Sequence, residues 1–312
     1  MKIAFVVPTK DRPEELRHLL RSLCQQSPKA DEVVVVDASE EPVEEVIRDF
    51  PGLDLRYVRH LPPCASRQRN VGAAAVSPGS DLIGFVDDDV VLEPGAMAAM
   101  TEFWQQAGEE VAGASFNFKN HHERRGDQLK RWRVIDWLGL YSRRAGAVAP
   151  SGWQNILGSV EETIFVDWLS SGASVWRRSV LSEFKFDEHF DGYSYLEDLD
   201  FSYSVSRRFK LAIVAGPGFL HFPSPRGRIS GAKFGRIESA NRLYFVRRHG
   251  LSLTRCYVAL GIRCLMTVGV ALKTGDRFFT QRAWGNLQGM FSNVGDQNCR
   301  RRRKESVVMA TD

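Results

Sequence analysis

The sequence predicts an α/β fold: a mostly parallel, doubly wound sheet with helices on both faces, followed by a helical C-terminal extension. Three observations carry that prediction. Apolar, β-branched runs alternate with helix-period patterns from Ile3 to Val86. Those runs are apolar at successive positions, as burial on both sheet faces demands. From Gly235 onward the pattern is helical throughout.

KIAFVVP reads as the first strand, and PEELRHLLRSL sets Leu16, Leu19, Leu20 and Leu23 on one helical face behind Pro13 in the first turn. DEVVVVDAS is a strand, EPVEEVIRDF a helix, LDLRYVRH a strand, SRQRNVGAAAV a helix and DLIGFVD a strand. Past Glu110 the alternation breaks. Residues 119–160, basic and rich in tryptophan, read as an inserted loop or lid, after which TIFVDWLSSGASVWRRSVL resumes strand character. FGRIESANRLYFVRRHG, TRCYVALGIRCLMTVGVALKTG and RFFTQRAWGNLQGM are helical. The expected division is an α/β domain over 1–232 and a basic helical extension over 233–312, with a disordered tail from about residue 295 that includes Arg300 to Lys304.

Composition narrows the class. With 43% hydrophobic and 26% charged residues in 312, the chain is ordinary globular material with a sizeable core. The opening MKIAFVVPTK is too short an apolar run for a signal peptide, and no uninterrupted apolar stretch reaches the roughly 18 to 20 residues of a spanning helix, so a cytoplasmic protein is expected. Five cysteines, Cys24, Cys64, Cys256, Cys264 and Cys299, lack CxxC spacing and point to neither a disulfide framework nor a zinc site. The net charge of +4 conceals −8 over residues 1–220 and +12 from His221 on. Nucleic-acid binding would suit the basic part, yet no reader motif or aromatic platform accompanies it.

In such sheets ligands bind outside the carboxyl ends of the strands, where PTKDR, VVDAS and VDDDV fall. The first strand is followed by VVPTKDRPEEL, which has no glycine, so a dinucleotide fingerprint and a P-loop are both missing. Three adjacent carboxylates, Asp87, Asp88 and Asp89, abut an apolar strand and repel one another, so a positive partner is expected. A hard divalent cation, Mn2+ or Mg2+, suits them. On an extended backbone Asp87 and Asp89 would face the ligand together and Asp88 would point away. A second acidic cluster, Glu197, Asp198 and Asp200 in YLEDLD, opens a helix; acids there suit the macrodipole as well as catalysis.

VVPTKDRPEEL, VVVVDAS, SRQRNVGAA, FVDDDV, SSGASVWRR with FDEHF, and YLEDLDFS occur in the order seen in family 2 glycosyltransferases, which the chain resembles from Ile3 to His221. The resemblance, rhamnosyltransferase-like in character, implies a GT-A fold, inversion at the anomeric carbon and a UDP-, GDP- or dTDP-linked sugar donor. It implies a donor-binding first half and an acceptor-binding second half of the domain.

It further implies that Pro8, Thr9, Arg12 and Asp37 line the nucleotide pocket, with Asp37 accepting a hydrogen bond from the base. By residue chemistry alone VDAS is equally good turn material. Arg69 and Asn70 would border the donor, or simply begin a helix. The DDD segment resembles the family's DxD, with Asp87 and Asp88 toward the donor and Asp89 and Asp87 toward the metal. His221 stands where relatives have a further metal contact, or is a packed histidine. Asp198 would be the general base, with Glu197 orienting it or the acceptor, although VVDAS lacks a second acid after Asp37, which leaves the identity of the base open. Gly172 would allow close approach of the donor sugar, and Trp168 would stack on a sugar ring or belong to the core. Arg226 and Arg228 would clamp phosphate, or be a solvated turn. The acceptor is expected to be a glycan or lipid-linked hydroxyl. The apolar, basic C-terminal helices either pack on the catalytic domain or touch the inner face of the cell membrane. The rival expectation is a catalytically silent sugar-nucleotide or glycan-binding module on the same scaffold.

Overall fold

The computed structural model describes residues 1–121, 133–224 and 229–292. The tail expected to be disordered from about residue 295, the basic segment 122–132, and Arg226 and Arg228 lie outside the described residues. The chain divides into two compact units. Unit 1 comprises residues 1–136, 142–148 and 154–228, and unit 2 comprises 137–141, 149–153 and the chain from 229 on, so two short pieces of the expected insertion belong with the C-terminal helices.

Unit 1 is an α/β sheet with the strand order β3-β2-β1-β4-β8-β6-β9-β5 among the described residues, and β7 also pairs with β9. Strands β1 (Ile3–Thr9), β2 (Glu32–Asp37), β3 (Leu55–Arg59) and β4 (Leu82–Val86) run parallel and are linked by α1 (Pro13–Cys24), α2 (Glu44–Arg48) and α3 (Ala65–Ala75). The expected helix over EPVEEVIRDF is reduced to a single turn and a half. Alternate strand residues feed two cores. Phe5, Val7, Val33 and Val35 meet Leu16, Leu19, Leu20 and Leu23 of α1 on one face. Ala4, Val6, Val34, Val36, Ile83 and Phe85 meet Trp176, Phe186 and Phe201 on the other. Each such side chain contributes about 1.5–3 kcal/mol of burial.

The rest of the sheet is mixed. β5 (Val90–Leu92), α4 (Ala96–Gln106), β6 (Val111–Phe118), α5 (Arg133–Trp137), β7 (Ile164–Val166), β8 (Ala173–Arg177), α6 (Arg178–Glu183), α7 (Glu197–Ser206) and β9 (Lys210–His221) complete it. β8 lies antiparallel to both β4 and β6, and β5 and β7 lie antiparallel to β9. Among the described strands of this part, β6 and β9 alone repeat the parallel pairing of the first half.

Unit 2 holds α8 (Gly231–Arg248), α9 (Leu253–Thr274) and α10 (Arg277–Phe291). Ser230, Ser252 and Asp276 cap their N-termini by accepting from the backbone N–H of Lys233, Arg255 and Phe278, and Gly275 ends α9 at φ +68°. Glycine brings α8 and α10 together: a Cβ on Gly235 would stand 2.1 Å from the Arg282 carbonyl oxygen, and one on Gly285 2.1 Å from that of Ala232. Between them Glu238 accepts from Arg282 and Asn286, and Arg263 adds a second positive charge at 3.5 Å. The two cations outweigh burial and hold the Glu238 carboxyl below its ordinary pKa. α9 is longer and more continuous than the sequence suggests: it has 22 residues, an 18-residue stretch of it has mean hydropathy 1.5, and by length and composition alone it could cross a membrane.

Candidate active site

The question posed by three adjacent aspartates has a geometric answer. After β4 the chain does not stay extended but turns at Asp88 and Asp89, the Val90 N–H donating to the Asp87 carbonyl at 3.2 Å. The expected alternation therefore fails, and each carboxylate has a basic partner, Arg12 reaching Asp89 at 3.4 Å as well as Asp88. Asp87 accepts from Arg69 at 2.7 Å. Asp88 accepts from Arg12 at 2.9 Å and from the Thr9 hydroxyl at 2.8 Å. Asp89 Oδ1 lies 3.0 Å from His221 Nε2. Burial and the neighbouring Asp89 push the Asp88 carboxyl up to about 7 against the pull of Arg12, which lowers the charge the triplet carries.

These partners come from four directions. Thr9 ends β1, Arg12 precedes α1, Arg69 rises from the first turns of α3 and His221 ends β9, paired in register with Val90. The backbone of His221 is fixed in turn by Asn120, whose side chain exchanges two hydrogen bonds of 2.9 Å with it. Burial lowers the imidazole's pKa, but the carboxylates of Asp89 and Asp87 overcome that and raise it.

Arg69 is the hinge of the arrangement. It is buried, donates to Asp87 with one nitrogen and to Glu197 at 2.8 Å with another, and so joins the aspartate turn to the acidic start of α7. The chain reaches that helix through two non-glycine residues in the left-handed region, Ser194 (φ +46°) and Leu196 (φ +77°), a backbone cost that concentrates at functional sites. Burial and the adjacent Asp198 charge push the Glu197 carboxyl up to about 8, with Arg69 opposing. Asp198 is also raised, chiefly by burial, although the backbone N–H of Leu199 donates to its Oδ1 at 2.7 Å.

Asp87, Arg69, Glu197, Asp198, His221 and Trp168 all line one cavity of about 830 Å³ in unit 1. Trp168 is buried in its wall, its indole N–H donating to the Asn155 carbonyl at 3.1 Å. Phe118, Tyr193, Tyr195 and Phe222 add aromatic surface beside the acids. Sequence reading missed these, and missed Arg69 as a link, because no local pattern marks residues that meet only through the fold.

Other expected site residues stand apart from that cavity. Asp37 is fully buried: Oδ2 accepts from Val43 N–H, the Tyr57 hydroxyl and Arg59 at 3.0, 2.5 and 2.8 Å, and Oδ1 from Ser39 N–H at 2.8 Å. These bonds hold the β2 turn. Asn70 uses both ends of its amide on the backbone of Phe186, at 2.9 and 3.0 Å, and faces away from the cavity. Thr9 and Arg12 serve Asp88, while Pro8 lies within β1 opposite Val36. Around Gly172 a Cβ would meet only Ser170 Oγ at 3.6 Å and Asp87 Oδ2 at 3.8 Å, so the space beside Asp87 is open.

For a divalent ion the fit is partial and specific. Among the described residues no cluster of three or more His, Cys, Asp or Glu side chains is arranged to hold one, and Asp87 is paired with Arg69. Asp89 Oδ1 and His221 Nε2, however, are 3.0 Å apart. Adjacent ligands of an octahedral ion with bonds of about 2.1 Å stand about 3 Å apart. A carboxylate and an imidazole, with the remaining positions left to water and substrate oxygens, suit Mn2+ or Mg2+.

The profile of Glycosyl transferase family 2 matches residues 4–159, half of the chain. The chain belongs to that family. This family 2 glycosyltransferase is 26% identical over 173 residues to the chondroitin synthase of Escherichia coli, an alignment covering 53% of this chain and 24% of that protein. It thus spans about a quarter of the length of that curated relative. Among solved structures it superposes on the mannosyltransferase PcManGT from Pyrobaculum calidifontis in complex with GDP-Man and Mn2+, with a TM-score of 0.56, 14% identity, and 93% and 87% of the two chains covered. It also superposes on S. aureus TarS 1–349 in complex with UDP-GlcNAc, with a TM-score of 0.51, 16% identity and 82% and 69% coverage. The sheet and its flanking helices are those of the GT-A fold.

Proposed function

We propose that this family 2 glycosyltransferase moves a sugar, with inversion, from a UDP-, GDP- or dTDP-linked donor to a glycan or lipid-linked hydroxyl, at the cavity that Asp87 and Asp198 both line. The observation that carries this reading is the Asp87–Arg69–Glu197 bridge, which ties the aspartate turn to the acidic start of α7 across one cavity.

In this reading Asp198 takes the acceptor hydroxyl's proton as that oxygen forms its bond to the anomeric carbon and the bond to the diphosphate oxygen breaks. Its raised pKa suits a base, since a carboxylate that holds a proton more tightly removes one more effectively. Glu197, held by Arg69, orients Asp198 and the acceptor. Trp168 and its aromatic neighbours offer a face to a sugar ring. Arg69 fixes Asp87 beside the open space at Gly172 for a donor hydroxyl. Asp89 and His221 would hold Mn2+ or Mg2+, which when bound stabilises the charge of the departing diphosphate. Mn2+ accompanies GDP-Man in PcManGT, which supports the manganese assignment. Thr9, Arg12 and Asp88 form the ion-paired floor beneath that corner and shape the nucleotide side indirectly. A cytoplasmic location suits nucleotide-sugar donors, and a lipid-linked acceptor would bring the chain to the inner face of the cell membrane.

Donor turnover tests the assignment. Asp198→Asn should lose transfer and slow donor hydrolysis by about 10²–10⁴-fold while leaving nucleotide affinity, measured by calorimetry, unchanged. A wild-type protein that binds donor and never turns it over would instead be the silent binding module.

A further inference from the structure

Unit 2 exposes more apolar surface than its own packing uses. On α9, Val258, Leu265, Val268 and Leu272 recur at helical spacing on the side opposite Cys256, Leu260, Cys264 and Thr267, which are buried. On α10, Trp284, Leu287 and Phe291 do the same opposite Arg282, Asn286 and Gly289. Leu265 is 73% exposed, Leu272 82%, Trp284 61% and Phe291 81%. Scattered exposed leucines are ordinary, but two stripes on adjacent helices, with a tryptophan among them, mark an interaction surface.

Charge identifies the occupant. Residues 229–292 carry ten lysines and arginines against two acids. One of those acids, Glu238, is buried and taken up by Arg282 and Arg263. The other, Asp276, spends an oxygen capping α10. Lys233, Arg236, Arg255, Lys273 and Arg277 are exposed. At the turn between α9 and α10, Lys273 and Arg277 stand directly beside the exposed Leu272 and Phe278. A second copy of so basic a surface would be repelled, whereas an anionic bilayer offers both an apolar boundary and negative headgroups. α9 is long enough to span, but its other face is committed: Cys264 and Thr267 are buried and Arg263 is joined to Glu238. Contact along the surface leaves those groups in place; insertion would pull them out.

We infer that the α9 and α10 stripes, with Lys273 and Arg277 at their shared turn, seat unit 2 on the surface of an anionic lipid bilayer. The side chains of Leu272, Trp284 and Phe291 enter the headgroup boundary and the basic residues meet phosphate. This inference stands apart from the transferase reading, because it needs no donor and no turnover.

Flotation of the full chain with vesicles, without nucleotide, tests it. Binding is expected to vesicles of phosphatidylcholine with phosphatidylglycerol, to weaken at high salt, and to be much weaker with phosphatidylcholine alone. Lys273→Glu and Arg277→Glu should each lower partitioning by about fivefold or more, and the double variant Leu272→Asp with Trp284→Asp should lower it by about tenfold or more. Because that double variant also perturbs a helix pair, quenching of tryptophan fluorescence by brominated lipid, reduced in Trp284→Phe, provides an independent check. Absence of flotation with the anionic vesicles overturns the inference, as does flotation unchanged by the double variant. A dimer in gel filtration that the double variant dissolves, with no vesicle binding, would assign the stripes to a second copy and overturn it too.

Discussion

At the scale of single residues the site is a set of opposite charges brought together by turns, and its titration follows from burial. Glu197 is held at about 8 by desolvation and by Asp198, with Arg69 opposing. Activity should therefore rise with pH through a limb above the ordinary carboxylate range, as the Glu197–Asp198 pair gives up its proton. Arg69→Met should move that limb to still higher pH, because the opposing positive charge is gone. A pH–rate profile of kcat/KM with its limb at about 4 to 5, in the ordinary carboxylate range, would sink the assignment. The same shift has a stability sign: between the unfolded value of 4.5 and about 8 the folded chain binds more protons at Glu197 than the unfolded one, so this residue's contribution declines as pH rises through that window. Much of this chemistry was legible. The sequence marks Asp87 to Asp89 and Glu197 to Asp198 by charge against apolar neighbours, and of these unit 1 brings Asp87, Glu197 and Asp198 to one cavity. What it conceals is direction. Asp37 and Asn70 carry the right chemistry in the right segment, but Asp37 is engaged by Tyr57 and Arg59 and Asn70 by the backbone of Phe186, residues 20 or more positions away.

At the scale of elements, the patterns identify β1, β2, β4 and α1 because each buries a continuous apolar face, whereas β3 and α3 give the cores only partly buried apolar side chains. The short strands β5 and β7, three residues each, have no such face and owe their conformation to β9. The α8–α10 pair was legible as helices but not as a pair, since its contact is made by the absence of side chains. Gly235→Ala should drive a methyl group to within 2.1 Å of the Arg282 carbonyl oxygen and force the helices apart. We expect a loss of about 1–3 kcal/mol, read as a lower urea midpoint for the unfolding of unit 2. Gly250→Ala, where nothing lies within 4 Å but φ is +64°, separates backbone strain from this collision.

At the scale of the whole molecule, charge divides the sequence into an acidic part, −8 before His221, and a basic part, +12 from it on. Nucleoside diphosphate should raise the melting temperature only when Mn2+ is present, because the Asp89–His221 corner must be filled for diphosphate to bind beside three carboxylates. Saturation to about 100 times Kd would add about 2.7 kcal/mol. A shift of the same size in the presence of a chelator would remove the metal from the reading. The order of the strands also bears on how the protein is made. β9, the last strand of the sheet, is inserted between β6 and the two short strands β5 and β7, neither of which pairs with anything else among the described strands. A nascent chain emerging from the ribosome must therefore wait for its residues 210–221 before the sheet can extend beyond β6, and until then β6 presents an open edge that a chaperone, or a neighbouring nascent chain, is able to grip.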